Sequence, residues 1–184
     1  MIAGLVHKEK AEELIANFKS KNPDEIVCVG THNAPGSLTF SGLESSMAAF
    51  KDYLVELGVK VRDVDTNGVG FHSPLLLDVA DDLAAHLNKI IPNKRSKPEK
   101  WVSTSVPETE WDNEANKEFD GNYHVYNFTH TVLFEDVASK HIPKNAVVVE
   151  IGPQPLLISQ VIKCVGNDGN LKKNIIAFFA IIGI

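Results

Sequence analysis

The sequence predicts an α/β fold, and three observations carry that expectation. Residues 25 to 65 read as strand, turn, strand, helix, strand. Residues 74 to 91 repeat apolar side chains at helical spacing. Ala146-Val-Val-Val-Glu-Ile151 is a continuous apolar run, as in a buried parallel sheet. A chain of 184 residues makes one domain or two small subdomains. The element order places a ferredoxin-like subdomain lacking its first strand at residues 1–66 and a second α/β part at residues 67–184.

In chain order, Leu5 to Phe18 reads as a helix, with Leu14, Ile15 and Phe18 on one stripe. Pro23 stops it. Glu25-Ile-Val-Cys-Val29 is a compact strand, and Asn33-Ala-Pro-Gly36 is turn chemistry. Ser37-Leu-Thr-Phe-Ser41 alternates and pairs back on the first strand. A helix follows from Leu43 to Leu57, with Met47, Phe50, Tyr53, Leu54 and Leu57 inward, and Val59 to Val64 closes the unit. Asn67-Gly-Val-Gly70 is a joint. Ser73 and Pro74 then suit the cap and first turn of a helix that runs to Ile91 on Leu76, Val79, Leu83 and Leu87. Trp101 to Ser105 reads as a short strand and residues 107 to 122 as an acidic loop with one helical turn. Thr131 to His141 reads as a helix, as does Gln154 to Val165 after the Gly152-Pro153 turn. The tail from Asn174 fits strand and helix equally.

Composition excludes several classes of function. Hydrophobic residues at 43% against 23% charged mark an ordinary folded chain rather than a disordered one. A net charge of −6 without a basic stripe argues against nucleic acid as partner. Lys94-Arg95-Ser96-Lys97, broken by Pro98 before Lys100, reads as a solvated loop. The two cysteines, Cys28 and Cys164, lie in apolar runs and form no C-x-x-C pair, which points to buried thiols in a reducing compartment rather than a disulfide or a metal site. Asn127-Phe-Thr129 is a glycosylation sequon, relevant only in a secreted chain. Met1 to Val6 lacks a signal-peptide layout, and Ile175 to Ile184 falls short of the roughly twenty residues that cross a bilayer. The expected location is the cytosol, with no membrane partner.

Imidazole is the usual base near neutral pH, so the seven histidines come first. His7, His86, His124, His130 and His141 have polar neighbours on helices or loops, and His32 borders a turn. His72 differs: it follows a glycine-rich joint and precedes a proline-started helix, which sets a side chain at a cleft edge on a rigid support. No G-x-S-x-G elbow is present, and neither Gly36-Ser37 nor Ser41-Gly42 supplies one. A thiolate at Cys28 or Cys164 is disfavoured by apolar surroundings. Phosphate loops and H-E-x-x-H are absent, and Asp81-Asp82 and Asp63 with Asp65 read as solvated charge. The residues alone give a base without a nucleophile.

Four segments in order carry a family resemblance. Gly68-Val-Gly-Phe71-His72-Ser73 resembles the histidine motif of acyltransferase domains in fatty acid and polyketide synthases. Asn33-Ala-Pro through Ser41-Gly42 resembles the family's N-x-P…S-G hairpin, Trp101-Val-Ser-Thr-Ser105 its aromatic-x-S-T strand, and Glu150-Ile-Gly-Pro-Gln-Pro-Leu-Leu157 its E-I-G-P turn. Trp101 to Glu108 and Val132-Leu-Phe134 resemble the malonyl/acetyl acyltransferase domain of animal-type fatty acid synthase more than the bacterial stand-alone enzyme, and the chain resembles the C-terminal portion of that domain.

The resemblance implies an incomplete α/β-hydrolase-like acyltransferase core behind the ferredoxin-like subdomain. It implies transfer of malonyl or acetyl groups from coenzyme A to acyl carrier protein through a Ser–His mechanism. His72 matches the catalytic histidine, and Phe71 matches a position that shapes the acyl pocket. The family orients its histidine with a backbone carbonyl, which its pattern places within His124 to Asn127. No tightly bound cofactor is implied: malonyl-CoA or acetyl-CoA is substrate. The implied partners are the carrier domain with its phosphopantetheine and other synthase domains. The family's serine and its malonyl-pairing arginine lie upstream of anything in this sequence, and Thr131 stands where proline is common. The chain therefore reads as a segment inactive by itself, with an exposed strand edge and apolar face. The alternative is a carrier-protein or partner-binding module. An unrelated hydrolase pairing a cysteine with His72 is a third reading.

Overall fold

The computed structural model describes residues 1–152, 154–166 and 175–179. The ferredoxin-like part follows from the alternation in its strands. It contains β1 (Ile2–Gly4), α1 (Lys8–Lys21), β2 (Val27–Ala34), β3 (Ser37–Gly42), α2 (Glu44–Glu56) and β4 (Val61–Asp63). The expectation of a missing first strand is corrected. Ile2 and Gly4 stand opposite Phe40 and Leu38 of β3, and opposite Asp63 and Val61 of β4, both pairings antiparallel. Three residues are too few to show alternation in a sequence, so only the pairing reveals the strand. The sheet order is β4-β1-β3-β2-β7, the last strand being β7 (Val132–Leu133), which runs parallel to β2.

Leu38 and Phe40 point to one face, where α1 and α2 cover them with Ala11, Leu14, Phe18, Met47, Phe50 and Leu54. Phe50 is the centre of that layer. Its ring lies edge-on to Phe18 at 5.0 Å and to Phe40 at 5.1 Å, the arrangement aromatic quadrupoles favour. Ser37, Thr39 and Ser41 alternate to the other face and are also buried. This strand is thus covered on both sides, and its second face looks toward the remainder of the chain.

The remainder begins with a 3₁₀ turn at Pro74–Val79 that leads into α3 (Ala80–Ile90). Ser73 does not cap it: its Oγ donates to Gly70 O at 2.6 Å. The stripe of α3 is only half-buried, and Val79 is exposed. A short hairpin of β5 (Arg95–Ser96) and β6 (Glu118–Phe119) follows, then α4 (Gly121–Thr129) and, after β7, α5 (Phe134–His141). Sequence periodicity missed α4, whose start is set by Asp120 accepting a hydrogen bond from Tyr123 N at 3.0 Å. The helix expected from Thr131 starts at Phe134, because Val132 and Leu133 are drawn into the sheet. Trp101 to Ser105 forms no strand. Ser103 Oγ accepts from Ser105 N, a local bond that competes with a ladder.

The last elements are β8 (Val148–Gly152), α6 (Ile158–Val165) and β9 (Ile175–Phe179). The tail that fitted strand and helix equally is a strand over Ile175–Phe179, parallel to β8. The apolar run expected to be buried is not: Val147, Val149 and Ile151 are exposed, Ile151 by 82%, with Leu156 and Leu157 beside them. Among the described residues no helix is long and apolar enough to cross a membrane. Phe50→Ala is expected to destabilise the chain by about 3–5 kcal/mol, read from its urea unfolding midpoint.

Candidate active site

The joint from Val64 to Gly70 brings the chain across the buried polar face of β3. A Cβ at Gly70 would lie 3.0 Å from Gly42 O and 3.5 Å from Ser41 Oγ, so glycine permits this approach. Phe71 and His72 follow. His72 has a φ of +56°, the left-handed region that disfavours a residue with a Cβ by about 1–2 kcal/mol.

Two hydrogen bonds hold it there. His72 N donates to Phe128 O at 2.9 Å, and the ring Nδ1 lies 2.7 Å from Asn127 O. Both acceptors belong to the last turn of α4, where carbonyls lack intrahelical partners. A carbonyl can only accept, so Nδ1 carries the proton and Nε2 keeps its lone pair. Phe71 docks beside it, edge-on to Phe128 at 5.2 Å. The structure therefore brings Phe71 and His72 together on one support, and the orienting carbonyl is that of Asn127. The Asn127 amide of the sequon is itself engaged, donating to Ser105 Oγ at 2.8 Å.

The thiol reading finds no geometry. Cys28 Sγ donates to Ser41 O at 3.5 Å and approaches His72 O at 4.0 Å. Burial pushes this thiol up, and Lys19 offsets only part of that. Cys164 is likewise pushed up by burial and faces Asn33 O. Among the described residues no three His, Cys, Asp or Glu side chains gather to hold a metal.

A pocket of about 400 Å³ opens on the same sheet face. Ala3, Thr39 and Arg62 form one cross-strand row along it. Lys60 and, from α6, Lys163 add positive charge, and among the described residues no carboxylate lines it. Gln160 Oε1 is buried at its wall and, among the described residues, has no hydrogen-bond partner. In a chain of net charge −6 this is a concentrated cationic concavity, suited to an anion.

His32, placed at a turn by the sequence, is buried and pairs through Nδ1 with Asp136 of α5 at 2.8 Å. The partners are 104 residues apart, and no sequence signal joins them. Burial raises the Asp136 carboxyl, but His32 and then Lys8 outweigh this and leave it below the usual carboxylate range. Together with the β2–β7 pairing, this contact ties α5 to the ferredoxin-like sheet.

The acyl transferase domain family matches residues 5–179. The chain belongs to that family. Curated relatives include the polyketide synthase-like protein Preu9 of Preussia isomera, 27% identical over 186 residues that cover 88% of this chain and 8% of the relative. The erythronolide synthase EryA2 of Saccharopolyspora erythraea is 26% identical, covering 72% and 4%. Among solved structures, the acyltransferase domain of the polyketide synthase PpsC of Mycobacterium tuberculosis superposes with a TM-score of 0.75 at 15% identity, covering 96% of this chain and 51% of that one. The malonyl CoA-acyl carrier protein transacylase of Clostridium perfringens gives 0.66 at 19%, covering 97% and 52%.

This acyl transferase chain thus spans under a tenth of these curated relatives and about half of these two solved chains. The mixed α/β fold is that of polyketide synthase acyltransferase domains. Further curated relatives are reducing and non-reducing polyketide synthases, so the kinship holds at the level of synthase acyltransferase domains, broader than the animal fatty acid synthase expected from the sequence.

A depressed carboxyl adds stability that is present above the unfolded pKa of about 4 and is lost as pH falls through the folded value. Asp136→Asn is therefore expected to flatten the loss of stability on acidification below about pH 4, measured as urea midpoints from pH 6 to pH 3.

Proposed function

We propose that this chain is the C-terminal share of an acyltransferase domain that moves malonyl or acetyl groups from coenzyme A to the phosphopantetheine thiol of acyl carrier protein. The observation that carries the reading is the 2.7 Å contact from His72 Nδ1 to Asn127 O, which leaves Nε2 as a free base. A serine supplied by the rest of the domain gives its proton to Nε2 as its oxygen attacks the thioester carbonyl. The tetrahedral intermediate expels the coenzyme A thiolate, which takes the proton back from the imidazolium. The carrier thiol then gives its proton to Nε2, attacks the acyl-serine and receives the acyl group, and the serine oxygen leaves with that proton. Phe71, fixed against Phe128, forms part of the acyl pocket wall.

The cationic pocket supports a coenzyme A thioester as substrate, since Arg62, Lys60 and Lys163 suit its phosphates. No tightly bound cofactor enters this scheme. Partners are the carrier protein and the other domains of a cytosolic synthase. Trp101 to Glu108 and Val132 to Phe134 favour a fatty acid synthase parent. A second reading, a partner-binding module without catalysis, draws on the exposed Val147, Val149 and Ile151 and on the absence of a G-x-S-x-G elbow from the sequence.

The isolated chain is expected to take no covalent label from radiolabelled malonyl-CoA, with or without carrier protein. A stable label that disappears in His72→Ala would place a nucleophile within these 184 residues and overturn the division of the site. Charge reversal at Lys163→Glu is expected to weaken coenzyme A binding roughly tenfold, measured by calorimetry, as loss of a charge-assisted contact does. Unchanged affinity would remove the pocket from the substrate path.

A further inference from the structure

We propose that Ser105 and Tyr123 are positioning residues for His72, acting through Asn127. The proposal rests on reading His72 as the base, and its test reads a different quantity. Tyr123 and Asn127 lie four residues apart on α4, so their side chains share one side of the helix. Ser105 sits between them. Asn127 Nδ2 donates to Ser105 Oγ at 2.8 Å, and Ser105 Oγ donates to Tyr123 Oη at 3.2 Å. Tyr123 Oη lies 3.1 Å from Ser103 Oγ, which also accepts from Ser105 N at 3.1 Å.

The donor inventory closes in one direction. A serine hydroxyl has one proton, so accepting from Asn127 leaves that proton for Tyr123, whose own proton goes to Ser103. Ser103 and Ser105 are 3% and 2% exposed, which shields the two serine hydroxyls from water, while Tyr123 and Asn127 are half-buried. Lys97 lies over the Tyr123 ring, its ammonium 4.2 Å from the centroid.

The network ends on the residue whose carbonyl faces the imidazole. At the end of α4 the Asn127 carbonyl has no helical donor to fix it, and the side-chain bonds take over that task. Neutral imidazole has two tautomers, and only the Nδ1–H form leaves Nε2 able to accept a proton. The network therefore selects the competent tautomer from one residue away. It also gives Ser103 and Ser105 of the Trp101–Ser105 segment a task other than strand pairing.

The test is a long-range proton–nitrogen NMR spectrum of the ¹⁵N-labelled 184-residue chain at pH 8, where imidazole is neutral. Nδ1–H is expected to dominate at His72. Ser105→Ala and Tyr123→Phe are each expected to raise the ratio of Nε2–H to Nδ1–H by roughly fivefold, as loss of one hydrogen bond does. Phe18→Leu, which loosens the other core without touching the network, is expected to leave the ratio unchanged. An unchanged ratio in Ser105→Ala overturns the proposal, and so does an equal shift in all three variants. If Ser105→Ala fails to fold, Tyr123→Phe decides alone, since it removes a single oxygen. Full-rate transfer by His72→Ala in a complete domain, together with a shifted ratio in Ser105→Ala, would instead refute His72 as the base and leave the positioning role standing.

Discussion

The end of α4 is the constraint on which the site depends. Two carbonyls that the helix cannot satisfy, those of Asn127 and Phe128, are satisfied by the ring and backbone of His72. Each side needs the other. Without α4 the left-handed backbone at His72 has nothing to hold it, and without His72 the helix end is left with orphaned acceptors. Imidazole orientation, tautomer and position along the β3 face all follow from this one junction.

The ferredoxin-like sheet serves the junction through its second face. Phe40 and Leu38 hold the sheet to its helices, and this leaves Ser41 and Thr39 free to face the joint and the cationic pocket. The approach of Gly70 to Gly42 brings Phe71 and His72 to that face. On the other side, β7 follows α4 after two residues and pairs with β2, and the His32–Asp136 contact reinforces it. The sheet thus grips both the segment that carries His72 and the one that carries its acceptors. At the far end, β8 leaves Val149 and Ile151 exposed, a face suited to further sheet or helices.

Much of this was legible in the residues. The alternation of Ser37 to Ser41, the Asn33–Gly36 turn and the α2 stripe marked the ferredoxin-like unit, because each is local. His72 stood out by its place between a glycine joint and a proline-started helix. What escaped was long-range or polar. β1 is visible only by its partners, and α4, built from Tyr123, His124 and Asn127, lacks an apolar stripe. Ser103 and Ser105 read as strand residues, since sequence alone cannot show a hydroxyl turned inward to Tyr123. Nor could it join His32 to Asp136.

The most direct measurement is the transfer rate of His72→Ala in a complete acyltransferase domain that contains this segment, with kcat/KM followed for malonyl-CoA. Loss of a general base is expected to lower the rate by about 10²–10⁴-fold in a variant that circular dichroism shows to be folded. A variant that transfers at the full rate would contradict the account, because the junction at the end of α4 would then hold an imidazole the chemistry does not use.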